Sequence, residues 1–148
     1  MSINNQKVVV GGLAAGVTFF VVDFLTNLVI SGGRWEAEMQ ALNPAVAANL
    51  RARGTVVGFV IVDVLLGIML TWLYAAIRAH FGPGARTAMI AGFFFFLATG
   101  AVWASYPVMG LITWGAWGIG GIGWIINCLA AAYVGGLLYK DATGGATA

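Results

Sequence analysis

Residues 8–30 read VVVGGLAAGVTFFVVDFLTNLVI, an apolar run in which Asp23 is the only charged residue. A helix of about 20 apolar residues crosses a hydrocarbon core of about 30 Å. The run is longer than the roughly 7 to 15 apolar residues of a signal-peptide core, and no small-x-small cleavage site ends it cleanly. We therefore expect residues 8–30 to form a membrane-spanning helix that the mature protein keeps.

Three more runs of spanning length follow, at residues 54–77, 87–106 and 116–139. The chain is 61% hydrophobic and only 8% charged, whereas soluble domains carry about 25% charged residues. Short turns are expected near Pro107 and at Gly82-Pro83-Gly84, because proline and glycine interrupt helices. The sequence therefore predicts a single all-α membrane domain over residues 1–148, with four transmembrane helices in an up-down bundle.

The one sizeable connection, residues 31–53, lies between the first two spans. Asn43-Pro44 is typical of a helix start, with the asparagine as the cap and the proline in the first turn. We expect a short interfacial helix between spans 1 and 2. It could seal the bundle, lie on the lipid headgroups or contact a partner.

Basic residues near the ends of the spans predict the orientation, because arginine and lysine concentrate on the cytoplasmic side of membrane proteins. One side carries four such residues and the other carries three: Lys7, Arg78, Arg86 and Lys140 against Arg34, Arg51 and Arg53. This count predicts that both termini lie in the cytoplasm.

Composition argues against several classes of function. The net charge of +2 rests on seven basic and five acidic residues, too few for a nucleic-acid surface. The single Cys128 forms neither an internal disulfide nor a multi-cysteine metal site. No phosphate loop, nucleophile elbow or zinc-protease pattern is present. We therefore expect no enzyme, metal or cofactor, with His80 as a single axial ligand to haem or chlorophyll the remaining alternative.

Glycines recur at spacings that suit close helix packing. Small residues four apart flatten one side of a helix and let backbones approach in a bilayer. The predicted packing glycines are Gly12, Gly16, Gly54, Gly58, Gly67, Gly100, Gly120, Gly121 and Gly135. Five glycines fall between residues 115 and 123, which predicts a tight packing face or, alternatively, a distorted segment that lines a cavity.

Two charged residues, Asp23 and Asp63, fall inside predicted spans, where a charge costs about 2.5 to 3.5 kcal/mol on insertion scales. Counted from the loop side at about 1.5 Å per residue, they lie about 10 and 14 Å deep. Residues at comparable depth predict an intramembrane polar layer: Asp23, Asn27, Asp63, Thr71, Thr99 and Asn127. We expect no cationic side chain there, so desolvation and mutual repulsion favour a protonated carboxyl. The pair predicts either a structural clasp or a site that exchanges a proton or sodium ion.

Five short segments carry a likeness to known proteins: LAAGV at 13–17, DFL at 23–25, LLG at 65–67, WLY at 72–74 and GGLLY at 135–139. Over most of its length the chain resembles small four-helix bacterial membrane proteins of no known function. The resemblance implies a four-helix fold in a bacterial inner membrane, and it implies no activity.

Two functions are predicted for such a chain. The first is a non-catalytic accessory or structural subunit, which packs in the lipid bilayer with copies of itself or with other membrane subunits. Its basis is the small mass outside the spans and the large contact surface within them. The alternative is a small proton- or cation-coupled transporter or channel that uses Asp23 and Asp63.

Overall fold

A computed structural model describes residues 3–50 and 52–139 of the chain. Arg51 and Lys140, which entered the orientation prediction, lie outside the described residues. The described part is helical, and its helices are α1 Asn5–Thr26, α2 Arg34–Leu42, α3 Pro44–Leu50, α4 Arg53–Phe81, α5 Ala85–Trp103, α6 Ser105–Val108 and α7 Trp114–Leu138. α1 continues into one π-helical turn, Asn27–Ser31.

Four helical stretches are long and apolar enough to cross a membrane: Asn5–Ser31, Arg53–Phe81, Ala85–Val108 and Trp114–Leu138. They are 24 to 29 residues long, and about 20 suffice for a span. The prediction of an all-α, multi-pass membrane protein is confirmed at this level. The second span was predicted to end at residue 77, whereas α4 ends at Phe81. The helix ends there because the next residue, Gly82, has a φ of +81°, which is not helical.

Two short helices, α2 and α3, connect the first two spans, where one was expected. α3 begins at Pro44, and Asn43 Oδ1 accepts a hydrogen bond from the Ala45 N–H at 3.0 Å. α2 is tied to the start of α7, because Glu38 accepts hydrogen bonds from the amide and hydroxyl of Thr113, both at 2.8 Å. The connection therefore lies beside the turn that precedes the last span.

α1 and α4 cross with their backbones in contact. A Cβ added to Gly12 would lie 2.6 Å from the Ile68 Cα, and one added to Gly16 would lie 2.7 Å from the Val64 Cα. A Cβ on Gly67 would overlap the backbone of α1 in return. Residue numbers rise along α1 as they fall along α4, so the two helices run in opposite directions.

α7 packs against α1 and α5 by the same use of small residues. A Cβ on Gly11 would lie 2.8 Å from the Gly135 carbonyl oxygen, and one on Gly92 would lie 2.8 Å from the Cys128 carbonyl oxygen. The buried core is accordingly rich in small side chains, with Ala91 and Ala131 both fully buried.

The four spans are tied together at the end where α1 begins, which we call the closed end (Asn4, Tyr74, Arg78, Gly84 and Tyr139). The Tyr139 hydroxyl accepts from the Asn4 N–H at 2.9 Å, and the Tyr74 hydroxyl accepts from the Gly84 N–H at 3.2 Å. Arg78 donates to the Tyr139 carbonyl oxygen at 3.0 Å. Its guanidinium also lies 5.1 Å from the centre of the Tyr139 ring.

The opposite end is loosely packed around the first part of α4, and we call it the open end (residues 23–35, 53–65 and 99–124). Val57 is 58% exposed and Ile61 is 55% exposed, whereas Leu70, farther along the same helix, is fully buried. Exposed residues cover the whole circumference of α4 from Val56 to Val62. The first half of α4 therefore stands away from the other spans.

Candidate functional site

The end of α1 carries the first polar groups of the candidate site. Asn27 follows Asp23 by one helical turn, and both side chains line the same cavity. The helix then widens into its π-helical turn, where the Gly32 N–H donates to the Asn27 carbonyl oxygen at 3.1 Å. π-Helical turns are frequent at functional sites. Gly32 and Gly33 follow with φ of +56° and +77°, a conformation that glycine adopts without strain.

A first cavity of about 330 Å³ lies between the ends of α1, α5 and α7. Its lining combines a carboxylate, a guanidinium, uncharged polar groups and aromatic rings: Asp23, Asn27, Arg34, Thr99, Trp103 and Trp124. Such a mixture of a mainly apolar wall with a few polar groups is typical of small-molecule sites.

A second cavity of about 480 Å³ lies on the α4 side of the same polar groups. Asp23 and Asn27 line both cavities, and Asp63 lines the second one together with Phe59 and Glu36. The structure therefore brings the two predicted aspartates to one cavity.

Trp124 is fixed in the wall of the first cavity by two contacts. Its indole N–H donates to Thr99 Oγ1 at 2.8 Å, and Thr99 in turn donates to the Phe95 carbonyl oxygen at 2.8 Å. The Trp124 ring stacks on Phe19, with ring centres 5.4 Å apart. The ring therefore has a defined orientation before any ligand enters.

Trp103 and Trp35 are held in a similar way. The Trp103 ring packs directly over Gly120, so that a Cβ added to this glycine would overlap the ring. The centre of the Trp103 ring is 6.3 Å from that of Trp117. Trp35 packs edge-on against Tyr106, with ring centres 6.4 Å apart. Because Gly120 has no side chain, the Trp103 ring can pack against α7 beside the cavity.

Two members of the predicted polar layer do not line either cavity. Thr71 lies between Gly11 and Gly135, eight residues and about 12 Å along α4 from Asp63. Asn127 is fully buried and donates to the Phe19 carbonyl oxygen at 3.1 Å. Among the described residues, neither Thr71 Oγ1 nor Asn127 Oδ1 finds a hydrogen-bond partner. These two side chains are interhelical contacts toward the closed end.

The expectation that no cationic side chain lies at the depth of the aspartates stays a prediction, but one guanidinium contributes to the cavity lining. Arg34 and Asp23 line the same cavity, because the left-handed Gly32 and Gly33 bring the start of α2 over the end of α1. The glycine pair was the signal for this, since two consecutive glycines after a span permit such a turn.

The predicted packing glycines fall into three groups in the structure. Gly12, Gly16, Gly67 and Gly135 lie at backbone crossings, and Gly120 contacts Trp103. Within the described ranges, an added Cβ on Gly100 would have only the Phe96 ring of its own helix within 4 Å. No atom of the described residues lies within 4 Å of a Cβ placed on Gly54, Gly58 or Gly121. For these three, packing stays a prediction that would need another chain.

α7 is one continuous helix, so the alternative of a distorted glycine segment is not what the structure has. Gly120 and Gly123 nevertheless line the first cavity. Sequence reasoning missed Gly123, whose added Cβ would lie 3.1 Å from Thr26, and Gly92 in α5. Gly92 follows Ala88 by four residues, a spacing that would have identified it.

His80 is exposed near the end of α4 and contacts the Phe81 ring, with ring centres 5.1 Å apart. Cys128 is fully buried. Among residues 3–50 and 52–139, no group of three or more His, Cys, Asp or Glu side chains is arranged to hold a metal ion. The role of His80 as a single axial ligand stays a prediction.

Comparison with protein families, curated proteins and solved structures gave no match for this chain. The resemblance to small bacterial four-helix membrane proteins therefore remains an expectation from sequence.

Proposed function

We propose that the chain is a non-catalytic membrane subunit that assembles with a second copy of itself, or with another membrane subunit, through the open flank of α4. In this proposal the four spans run up and down through a bacterial inner membrane with both termini in the cytoplasm. α2 and α3 then lie at the opposite membrane surface.

The observation that carries the proposal is the exposure of the first half of α4. Val57 and Ile61 are more than half exposed, and at about 100° per residue they lie on the same side of α4 as Gly54 and Gly58. Apolar side chains can face lipid, but small residues on an exposed face also allow a second helix to pack closely there. Asp63 lies on the other side of α4, where it borders the cavity shared with Asp23, so it is not part of this flank.

A second copy suits this flank because the flank carries its own small residues. Gly54 and Gly58 are four apart, and no atom of the described residues lies within 4 Å of an added Cβ. Small residues at this spacing support close helix pairing in bilayers. The same surface can pair with itself about a two-fold axis, the commonest symmetry of homo-oligomers.

The test is native mass spectrometry of the tagged chain after extraction in mild detergent. A dimer or a stoichiometric complex is expected, and Gly58→Ile should convert it to a monomer. Gly118→Ile is the matched control, because that glycine of α7 also has open space around an added Cβ. A wild-type monomer without partner subunits would contradict the proposal.

A second candidate function is favoured by the cavity that Asp23 and Asp63 share. Two carboxylates on one intramembrane cavity are suited to exchanging a proton or a cation, as intramembrane acids do in transporters. Proteoliposomes carrying the wild type should show ion-dependent flux that Asp23→Asn and Asp63→Asn abolish. Glu38→Gln, which lies outside both cavity linings, should leave the flux unchanged.

A further inference from the structure

We infer that the two cavities of the open end bind a lipophilic organic cation with aromatic substituents. The inference deepens the second candidate function, because it names the class of cation that Asp23 and Asp63 would serve. It rests on the size, the aromatic walls and the charge of the cavities, and it does not require that transport occurs.

The size of the cavities fits a small organic molecule. Their volumes of about 330 and 480 Å³ fall in the range of roughly 300 to 1,000 Å³ that small-molecule sites occupy. Asp23 and Asn27 line both cavities, so a ligand in either cavity can contact this pair.

The walls are rigid and aromatic. Trp35, Trp103 and Trp124 line the first cavity, and each ring is held by another aromatic ring. Trp124 is further fixed by its hydrogen bond to Thr99. An aromatic face attracts a cation through its quadrupole, and the attraction grows when both are removed from water. Walls that are already oriented avoid the cost of ordering them on binding.

The charge of the lining favours a cation over an anion. Asp23 borders both cavities and Asp63 borders the second, whereas Arg34 lines the first cavity and not the second. An organic cation suits the lining better than a divalent metal, which takes six or more oxygen ligands. The described residues hold no cluster of acids or histidines of that kind.

Binding of tetraphenylphosphonium to the purified full-length chain in detergent tests the inference by equilibrium dialysis. Saturable binding is expected for this cation and not for tetraphenylborate, an anion of nearly the same shape. Asp23→Asn should weaken the affinity about tenfold, in line with the loss of one desolvated charge contact. Equal binding of the two probes, or no saturable binding of the cation, would overturn the inference.

Two matched pairs of variants distinguish a loss of ligand binding from a loss of folding. Glu38→Gln should bind as the wild type does, because Glu38 hydrogen-bonds Thr113 outside both cavity linings. Trp124→Phe should weaken binding, whereas Trp72→Phe, which changes an exposed ring outside the linings, should not. Unchanged affinity in both Asp23→Asn and Trp124→Phe, with unchanged thermal stability, would also overturn it.

The flux experiment and the binding experiment can fail separately. Cation binding without flux would remove the transport function and leave the site in place. Flux of small ions without binding of tetraphenylphosphonium would remove the organic-cation site and leave transport in place.

Discussion

The closed end and the open end of the molecule differ in what their polar side chains contact. At the closed end, the hydroxyl groups of Tyr74 and Tyr139 each accept a hydrogen bond from a neighbouring segment. At the open end, Asp23 and Asp63 border a common cavity. The difference indicates that the closed end holds the spans together, while the open end is where another molecule can contribute binding energy. Functional segments are commonly drawn from such less stable parts of a fold.

The largest expected effect comes from breaking the backbone crossing that joins the two ends. Gly67→Leu should destabilise the fold by about 3 kcal/mol or more, because its side chain has to enter the backbone of α1 at Gly12 and Gly16. The measurement is the thermal unfolding midpoint in detergent.

The matched control for this variant is Gly58→Leu on the same helix. No atom of the described residues lies near its added Cβ, so the monomer fold should keep its stability even if assembly is lost. Equal destabilisation by the two substitutions would contradict the division into a closed and an open end.

A smaller effect is expected from weakening the closed end alone. Arg78→Gln removes the hydrogen bond to the Tyr139 carbonyl oxygen and the stacking of the guanidinium on two tyrosine rings. The expected loss is about 2 kcal/mol of stability, again read as a fall in the unfolding midpoint.

Ligand binding at the other end should be unaffected by this change. Arg78→Gln protein that still folds should bind tetraphenylphosphonium with wild-type affinity, because Arg78 lines neither open-end cavity. A large loss of affinity in folded Arg78→Gln protein would show that the two ends are not separate.

The smallest expected effect is at the wall of the first cavity. Thr99→Val leaves the Trp124 indole N–H without its acceptor and should cost about 1 kcal/mol of stability. It should also weaken probe binding, because the ring loses its fixed orientation. Thr18→Val is the control, since among the residues that the structure describes the Thr18 hydroxyl bonds the Ala14 carbonyl oxygen of its own helix and no other group. This variant should leave binding intact.

The four spans were predictable from sequence because their length and apolar character follow directly from the thickness of the bilayer. Asp23 and Asp63 were predictable as a pair because a charge in such a run is rare. Their comparable depths of about 10 and 14 Å, on helices of opposite direction, predicted that they would lie near each other. The cavity that they share was not predicted.

The faces of the helices were much harder to predict. In water, a polar stripe marks the exposed side of a helix, but in lipid the exposed side is as apolar as the core. Val57 and Leu70 therefore look alike in the sequence, although one is 58% exposed and the other is fully buried. For the same reason, the sequence does not distinguish glycines that pack from glycines that are exposed. Gly67 and Gly58 were both predicted to pack, but only Gly67 lies against another helix of the described residues.

The contribution of Arg34 to the lining of the first cavity could not be predicted, for a related reason. A residue count along straight helices gives depth only as far as the last apolar residue of the first span. The π-helical turn and the two left-handed glycines change the path of the chain beyond that point, and a residue count carries no information about such a turn.

The most direct test of the proposed assembly is photo-cross-linking from position 57 in native membranes. Benzoylphenylalanine placed at Val57 should give a protein adduct whose mass identifies a second copy or a defined partner subunit. The same label at Val102, which is 73% exposed on α5, should give no adduct of that mass. A protein adduct from position 57 supports the proposal that a partner helix covers the open flank of α4. Labelling of lipid alone at both positions would contradict it.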